Sequence, residues 1–455
     1  MSLGNPPKAA LHNLGCKVNA YELEAMQQLL EQAGYRIVPF EPGADVYVIN
    51  TCTVTNIADR KSRQMLHRAR KMNPAAIVVA AGCYAQTGSD TLKKDETVDI
   101  VLGNNQKGRL VEALEAFRQT REKSLQVIPA GELKQYEPLQ IRHTTDRLRA
   151  FIKVTDGCNQ FCSYCLIPYA RGRVRSRRLS DVRAEIEDIA LTGRQEVVLT
   201  GIHLSSYGTD LKEEGKPDLL SLIREAAAVP GIRRIRLGSL EPGIITEEFA
   251  AALSGIPAVC PHFHLSLQSG CEKTLRKMNR HYTPAEFEEK CGVLRRYFKD
   301  PALTTDIIAG FPGESEQDFL ESCAFVERIG FYETHIFKYS LREGTRAAGM
   351  PDQVPEPEKA RRSDILLALN ERRIREYEMR RMGEPLSVLM EEEIETGHGR
   401  WLMGHSTRYV PVCVPAGAGT APGCIVTVRP DGFLQKHLLK GVVSGDCILQ
   451  KSRVE

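Results

Sequence analysis

Three cysteines on one short loop set the chemistry that the rest of the chain must serve. The run DGCNQFCSYCLIP spaces Cys158, Cys162 and Cys165 as CxxxCxxC, directly after the apolar run FIKV. Three thiolates on such a loop can hold three irons of a [4Fe–4S] cluster, and a cube that wants four ligands keeps one iron open to a small molecule. A structural zinc site would call for a fourth ligand nearby. The next cysteine, Cys260, is far along the chain, and no HxxxH spacing follows. Three inert buried thiols are the remaining alternative, and the loop spacing at a strand end argues against it. Phe161 and Tyr164, interleaved with the cysteines, pack around a cluster on the first reading and are ordinary shielding on the second.

A second set is dispersed. Cys16, Cys52 and Cys83 lie in LGCKVN, NTCTVT and AGCYAQ, each just past a short β-type run. Parallel strands joined by crossovers bring their carboxyl ends to one edge, which is where open α/β sheets bind ligands. Thiols distant in the chain can therefore converge and hold a second cluster, again with one iron unclaimed. Taken singly, each is as well explained as a small buried hydrophobe; the shared topological address is what points to ligation.

The elements that must position these residues follow from the apolar pattern. In the first third, AALHNL (9–14), DVYVIN (45–50) and AIVVAAG (76–82) read as strands, with helices over 21–33 and 57–72 between them, the rhythm of a small parallel sheet. A polar stretch, 121–143, reads as a linker. Six strand candidates begin near 151, 196, 234, 262, 304 and 334, with helices near 180–192, 218–229, 246–254, 284–298 and 315–329, which predicts a partial parallel (β/α)6 barrel of the TIM type. A long basic helix runs from 356 to 382, and glycine-punctuated β runs after it predict a small all-β barrel. The fold class is α/β, with domains at 7–120, 144–376 and 378–450 around the 121–143 linker.

At 455 residues the chain exceeds one ordinary core, and its 42% hydrophobic and 26% charged residues describe a globular protein. A formal charge of +3 leaves the question of a polyanionic partner to local clusters. The start, MSLGNPPKAALHNLG, has no secretory pattern and no apolar run is long enough to span a membrane, so a cytoplasmic location and no membrane partner are expected. In that reducing compartment disulfides are rare, which leaves metal ligation as the leading use for cysteines at ligand spacing.

The central motif resembles the radical S-adenosylmethionine superfamily, in which the amino and carboxylate groups of that cofactor fill the open iron. LGCKVNAYE, NTCTVTNIADRKSRQ, AGCYAQ, DGCNQFCSYCLIPYARGRVRSR and LQSGCEKTLRKMNRHYT together resemble the methylthiotransferase family, from about residue 8 to about 447. KVNAYE, TCTVT and CYAQ are closer to the branch acting on N6-threonylcarbamoyladenosine of transfer RNA than to the isopentenyladenosine branch. The resemblance implies an auxiliary [4Fe–4S] cluster on Cys16, Cys52 and Cys83, a radical cluster on Cys158, Cys162 and Cys165, and a C-terminal RNA-binding TRAM module. It also implies S-adenosylmethionine at the barrel's strand ends, for which Tyr164, Ser239, Glu241, Gln268 and Asp306 are the candidates. At the last four, a turn-stabilising or capping role is an equal alternative. The chemistry implied is reductive cleavage of that cofactor to a 5′-deoxyadenosyl radical, attack at C2 of the adenine at position 37, and transfer of a sulfur and a methyl group.

The partners implied are the tRNA anticodon stem-loop and an electron-donor protein. Phosphates require cations, and three clusters qualify: Arg60, Lys61, Arg63, Arg68, Arg70 and Lys71; Arg171, Arg173, Arg175, Arg177 and Arg178; and the arginines at 361, 362, 372, 373, 375, 380 and 381. A charged helix face can equally be a merely solvated one. Trp401 and Tyr409 could stack bases or fill the core of the last module. Rival readings are methylthiolation of isopentenyladenosine-37, of a ribosomal-protein aspartate, and a non-catalytic iron–sulfur RNA-binding protein.

Overall fold

The computed structural model describes residues 5–144, 148–212, 216–417, 419–445 and 448. The three predicted N-terminal strands form as Lys8–Asn13, Val46–Thr51 and Ile77–Gly82. Three shorter ones, Arg36–Ile37, Ile100–Leu102 and Ser124–Gln126, complete a six-stranded sheet that is parallel throughout. Strands of two or three residues carry too little alternation to be read from periodicity. Ser124–Gln126 falls in the stretch expected to be a linker, and Leu139 and Ile141 of that same stretch are buried in the barrel core. Val46–Thr51 and Ile77–Gly82 are buried at every position, as strands covered by helices on both faces must be. The winding direction reverses between Lys8–Asn13 and Val46–Thr51, which makes their carboxyl ends the switch point where such sheets bind ligands.

Six parallel strands form the central barrel: Arg149–Asp156, Glu196–Gly201, Arg234–Leu237, His262–His264, Ala302–Ala309 and Glu333–Lys338. Regular ladders join all but one neighbouring pair, and single bridges Ile235↔Val259 and Leu240↔Leu265 carry the sheet across the remaining junction. Among the described residues the sheet does not close; Arg175–Ser176 adds antiparallel to the first strand at one edge. The intervening helices fall where the apolar spacing placed them. Thr283 and Glu286 form a capping box that starts Pro284–Tyr297, and Ser315 and Asp318 form another for Glu316–Ile329.

Helix Glu356–Met379 packs along the last barrel strand, where Asn370 accepts a hydrogen bond from the Thr334 amide at 2.7 Å. Beyond it, Leu386–Thr396, Gly399–Ser406, Pro411–Pro415, Ile425–Gln435 and Leu438–Val443 close into a small barrel. It caps the amino end of the central one: Arg234 donates to Ser387 Oγ at 2.9 Å, and Arg236 to the Thr407 carbonyl at 3.0 Å. No helix among the described residues is long and apolar enough to cross a membrane.

Candidate functional site

The switch point of the first sheet carries the dispersed thiols. Cys16 caps helix Lys17–Gln32, Cys52 follows Val46–Thr51, and Cys83 begins the short helix Cys83–Thr87. Side chains that the cysteine spacing alone did not single out lock their turns together. Asn19 Nδ2 donates to the carbonyls of Leu14 and Thr51, both at 2.9 Å, tying the first turn to the second. Thr51 Oγ1 donates to the Ala81 carbonyl at 2.6 Å and accepts from the Ala85 amide at 3.1 Å, tying the second to the third. Gly15, at φ +116°, brings its backbone so close to Cys52 that an added Cβ would stand 3.2 Å from the sulfur. The convergence expected from topology is thus enforced by hydrogen bonds and by a glycine.

The second set sits on the loop after the first barrel strand. Gly157, at φ +71°, begins it, and a Cβ there would lie 1.9 Å from the Arg173 carbonyl oxygen. Each sulfur receives a donor: the Gln160 amide to Cys158 and the Ile167 amide to Cys165, both at 3.4 Å, and Arg280 Nη1 to Cys162 at 3.2 Å. Asn279 Nδ2 donates to the Phe161 carbonyl at 3.1 Å, and the Ser163 amide to the Met278 carbonyl at 2.9 Å. The MNR of LRKMNRHYT is therefore the clamp on this loop.

Burial pushes the Cys52 and Cys158 thiols up to about 11 and Cys165 up to about 12, and raises Cys16 as well. The charges of Cys16 and Cys83 also act to raise Cys52, and those of Cys158 and Cys162 to raise Cys165. Thiolates at these positions need a cation among them, and donors aimed at the sulfurs suit the charged form. The donor sets fit iron clusters. The other free thiols lie elsewhere: Cys260 beside Arg236, Cys271 beside Asp318, Cys291 and Cys323 at the barrel core, and Cys413 in the last module; Cys424 is disulfide-bonded.

A buried ion network joins the two sets. Arg171 donates from Nε to Cys83 Sγ at 3.2 Å, from Nη2 to Asn19 Oδ1 at 3.0 Å, and from Nη1 to Glu22 at 2.8 Å and Asp156 at 3.1 Å. Lys153 bridges the same two carboxylates at 2.8 and 2.6 Å. Burial alone would raise Glu22, but Arg171, Lys107 and Lys153 outweigh it and hold the carboxyl well below the usual range. Arg171, one of the candidate RNA contacts, is fully buried, and Arg175 and Arg177 of the same cluster are buried as well. The group on the long helix is also largely spent: Arg362 pairs with Glu314 and Glu358, Arg372 with Glu327, Arg373 with Glu376 and Arg381 with Asp300. Arg60, Lys61, Arg68 and Lys71 remain exposed, with no ion pair among the described residues. Tyr409 has both ring faces occupied, stacked on His262 at 5.2 Å and His405 at 4.7 Å.

The five strand-end candidates separate. Tyr164, Gln268 and Asp306 line one cavity of about 240 Å³, whose other wall includes Val54 and Thr55 just past Cys52, so it opens between the two thiol sets. Ser239 and Asp306 line a second cavity of about 210 Å³ inside the barrel. Glu241 belongs to neither; it accepts from Arg280 Nη2 at 2.6 and 2.8 Å, against the Cys162 sulfur. A groove of about 620 Å³ lies alongside, with Asp59, Tyr84, Tyr169 and Arg342 on its walls.

Comparison with known proteins puts names beside this geometry. Residues 8–103 match a family described as Uncharacterized protein family UPF0004, and residues 152–326 match the Radical SAM superfamily. A Bacillus subtilis protein, threonylcarbamoyladenosine tRNA methylthiotransferase MtaB, is 40% identical over 92% of this chain and 93% of its own length. A tRNA-2-methylthio-N(6)-dimethylallyladenosine synthase from Syntrophobacter fumaroxidans is 35% identical over 86% of each. The solved structure of the radical S-adenosylmethionine methyltransferase TsrM from Kitasatospora setae shares the fold, with TM-score 0.54 and 18% identity over 73% of this chain and 75% of that one.

Proposed function

The chain belongs to the methylthiotransferase family of radical S-adenosylmethionine enzymes, and from that premise we propose that it adds a methylthio group to C2 of N6-threonylcarbamoyladenosine at position 37 of transfer RNA. Its cofactors are two [4Fe–4S] clusters and S-adenosylmethionine. Cys158, Cys162 and Cys165 hold the cluster that meets S-adenosylmethionine, and Cys16, Cys52 and Cys83 hold the auxiliary one. Bound there, these groups supply one-electron cleavage of the cofactor and a site for the sulfur to be transferred.

The observation that carries this reading is the cavity between the two thiol sets, with Tyr164 from one loop and Val54 and Thr55 from the other. The residues around it position and exclude. Arg280 and the loop amides direct hydrogen bonds at the radical-cluster sulfurs, Arg171 does the same at Cys83, and hydrogen bonds to cluster sulfurs tune the reduction potential. Tyr164, Gln268 and Asp306 are the residues placed to touch S-adenosylmethionine, with Ser239 further into the barrel and Glu241 acting through Arg280. Phe337, 47% exposed, lines the cavity with exposed Val54, an apolar surface for a base splayed out of its loop. The unpaired cations Arg60, Lys61, Arg68 and Lys71, on the helix that also lines the adjoining groove, suit the phosphates of the anticodon stem-loop. An electron-donor protein and a cytoplasmic location complete the reading.

The test is anaerobic turnover of the reconstituted protein on anticodon stem-loops bearing threonylcarbamoyl or isopentenyl adenosine, read by product mass. A methylthio adduct on the threonylcarbamoyl substrate is expected. Conversion of the isopentenyl substrate alone would overturn the assignment.

A further inference from the structure

We propose that the cavity inside the barrel is the subsite for the N6-threonylcarbamoyl arm of the substrate, with Lys17 as the cation that takes its carboxylate. This rests on the reading above and names what would make the enzyme selective. Lys17 follows Cys16 directly in the chain and lines this cavity with Ser239, His262, His264 and Asp306. Its side chain is exposed and lines the cavity. Among the described residues no carboxylate comes within ion-pair distance of Lys17; Asp306 and Glu333 line the same cavity and are paired with His264 at 3.3 Å and His335 at 3.9 Å. A confined cation whose neighbouring carboxylates are engaged by histidines suits an anionic ligand.

A second, independent group asks for a ligand. His262 is 7% exposed, lines the same cavity, and its Nδ1 has no hydrogen-bond partner. A threonyl carboxylate meets the ammonium, its hydroxyl and ureido groups have Ser239 and His262 to bond to, and among the lining residues Leu237 alone is aliphatic. At about 210 Å³ the space is smaller than the roughly 300 Å³ at which whole-ligand pockets begin, so it fits a substituent rather than a nucleoside. Asp306 belongs to both cavities, so an adenine held between the two thiol sets can extend its N6 arm past Asp306 into the barrel. A dimethylallyl arm would strip water from Lys17 and return nothing, and sites built for polar groups reject analogues that lack them.

The experiment is steady-state turnover of the reconstituted holoenzyme on three stem-loops, bearing threonylcarbamoyladenosine, its neutral carboxamide, and isopentenyladenosine. For wild type, the carboxamide should raise KM by ~30-fold or more, the scale of an unmatched buried charge. Lys17→Gln should raise KM on the acid by a similar factor and no longer distinguish acid from amide, with KM for S-adenosylmethionine unchanged. His262→Ala, remote from the cluster, should also raise KM for the acid, which keeps the test intact if Lys17→Gln loses iron. Wild type that treats acid and amide alike overturns the subsite while leaving the activity on threonylcarbamoyladenosine standing. An effect of Lys17→Gln confined to KM for S-adenosylmethionine overturns it too. So does a stoichiometric divalent metal held by His264, Asp306 and His335, whose donor atoms lie within 4.8 Å of one another. Failure of wild type on the acid itself would instead remove the reading beneath.

Discussion

Arg171 is the residue on which the two halves of the site depend. It touches Cys83, Asn19, Glu22 and Asp156 at once, and none of these contacts reaches solvent. Replacing it by methionine leaves two buried carboxylates short of charge, for which a loss of about 3–5 kcal/mol is expected. Urea unfolding should show that loss, and Glu22→Gln added to Arg171→Met should recover part of it, because removing the surplus anion relieves the imbalance. Simple additivity of the two substitutions would contradict the network. The sequence placed Arg171 in a basic run, YARGRVRSR, and a basic run signals surface because charged side chains are seldom fully buried without partners. Its partners come from a helix of the first domain and a strand of the barrel, so no local pattern could reveal them. The six cysteines proposed as ligands, by contrast, stand out in the sequence through spacing and address.

The strands and helices that carry the site were readable wherever an apolar face was long enough to show its period. All six barrel strands and the five helices expected between them fall within a few residues of the expected positions, while the short helices Ile167–Arg171 and Glu272–Lys277 were not expected. Missed strands are the short ones, and Gly399–Ser406, whose glycines and polar residues break the alternation while a bulge between Met390 and Glu392 shifts its partner's register. Helix starts are equally local. Asp318 in the Ser315 capping box accepts from the Ser315 amide at 2.8 Å and from Lys273 at 2.7 Å. Burial works to raise its carboxyl, but Lys273 and Ser315 outweigh it and bring it down to about 2. A depressed carboxyl contributes stability that is present above its unfolded value near ~4 and is lost as pH falls toward 2. Asp318→Asn is expected to cost about 1 kcal/mol at neutral pH. In urea unfolding the gap to wild type should hold down to about pH 4 and narrow below it; a gap that widens on acidification would contradict the cap.

On the scale of the whole molecule, three sheets converge on one interior. The first sheet brings its switch point to the carboxyl end of the barrel through the Glu22 network, and the last module closes the amino end with Arg234 and Arg236 reaching its backbone and side chains. That arrangement explains why tRNA contact was hard to read. Near-neutral overall charge hid which cations are free, and most of the arginines on the long helix turn out to be neutralised by carboxylates. On the proposed function, two separate sets of three thiols serve one cavity. Iron content and 5′-deoxyadenosine formation, measured side by side in anaerobically reconstituted wild type, Cys158→Ala and Cys52→Ala, test it most directly. Each variant should hold about half the iron of wild type, with deoxyadenosine lost in Cys158→Ala but retained, without methylthio product, in Cys52→Ala. Equal iron in all three proteins, or loss of deoxyadenosine in both variants alike, would contradict it.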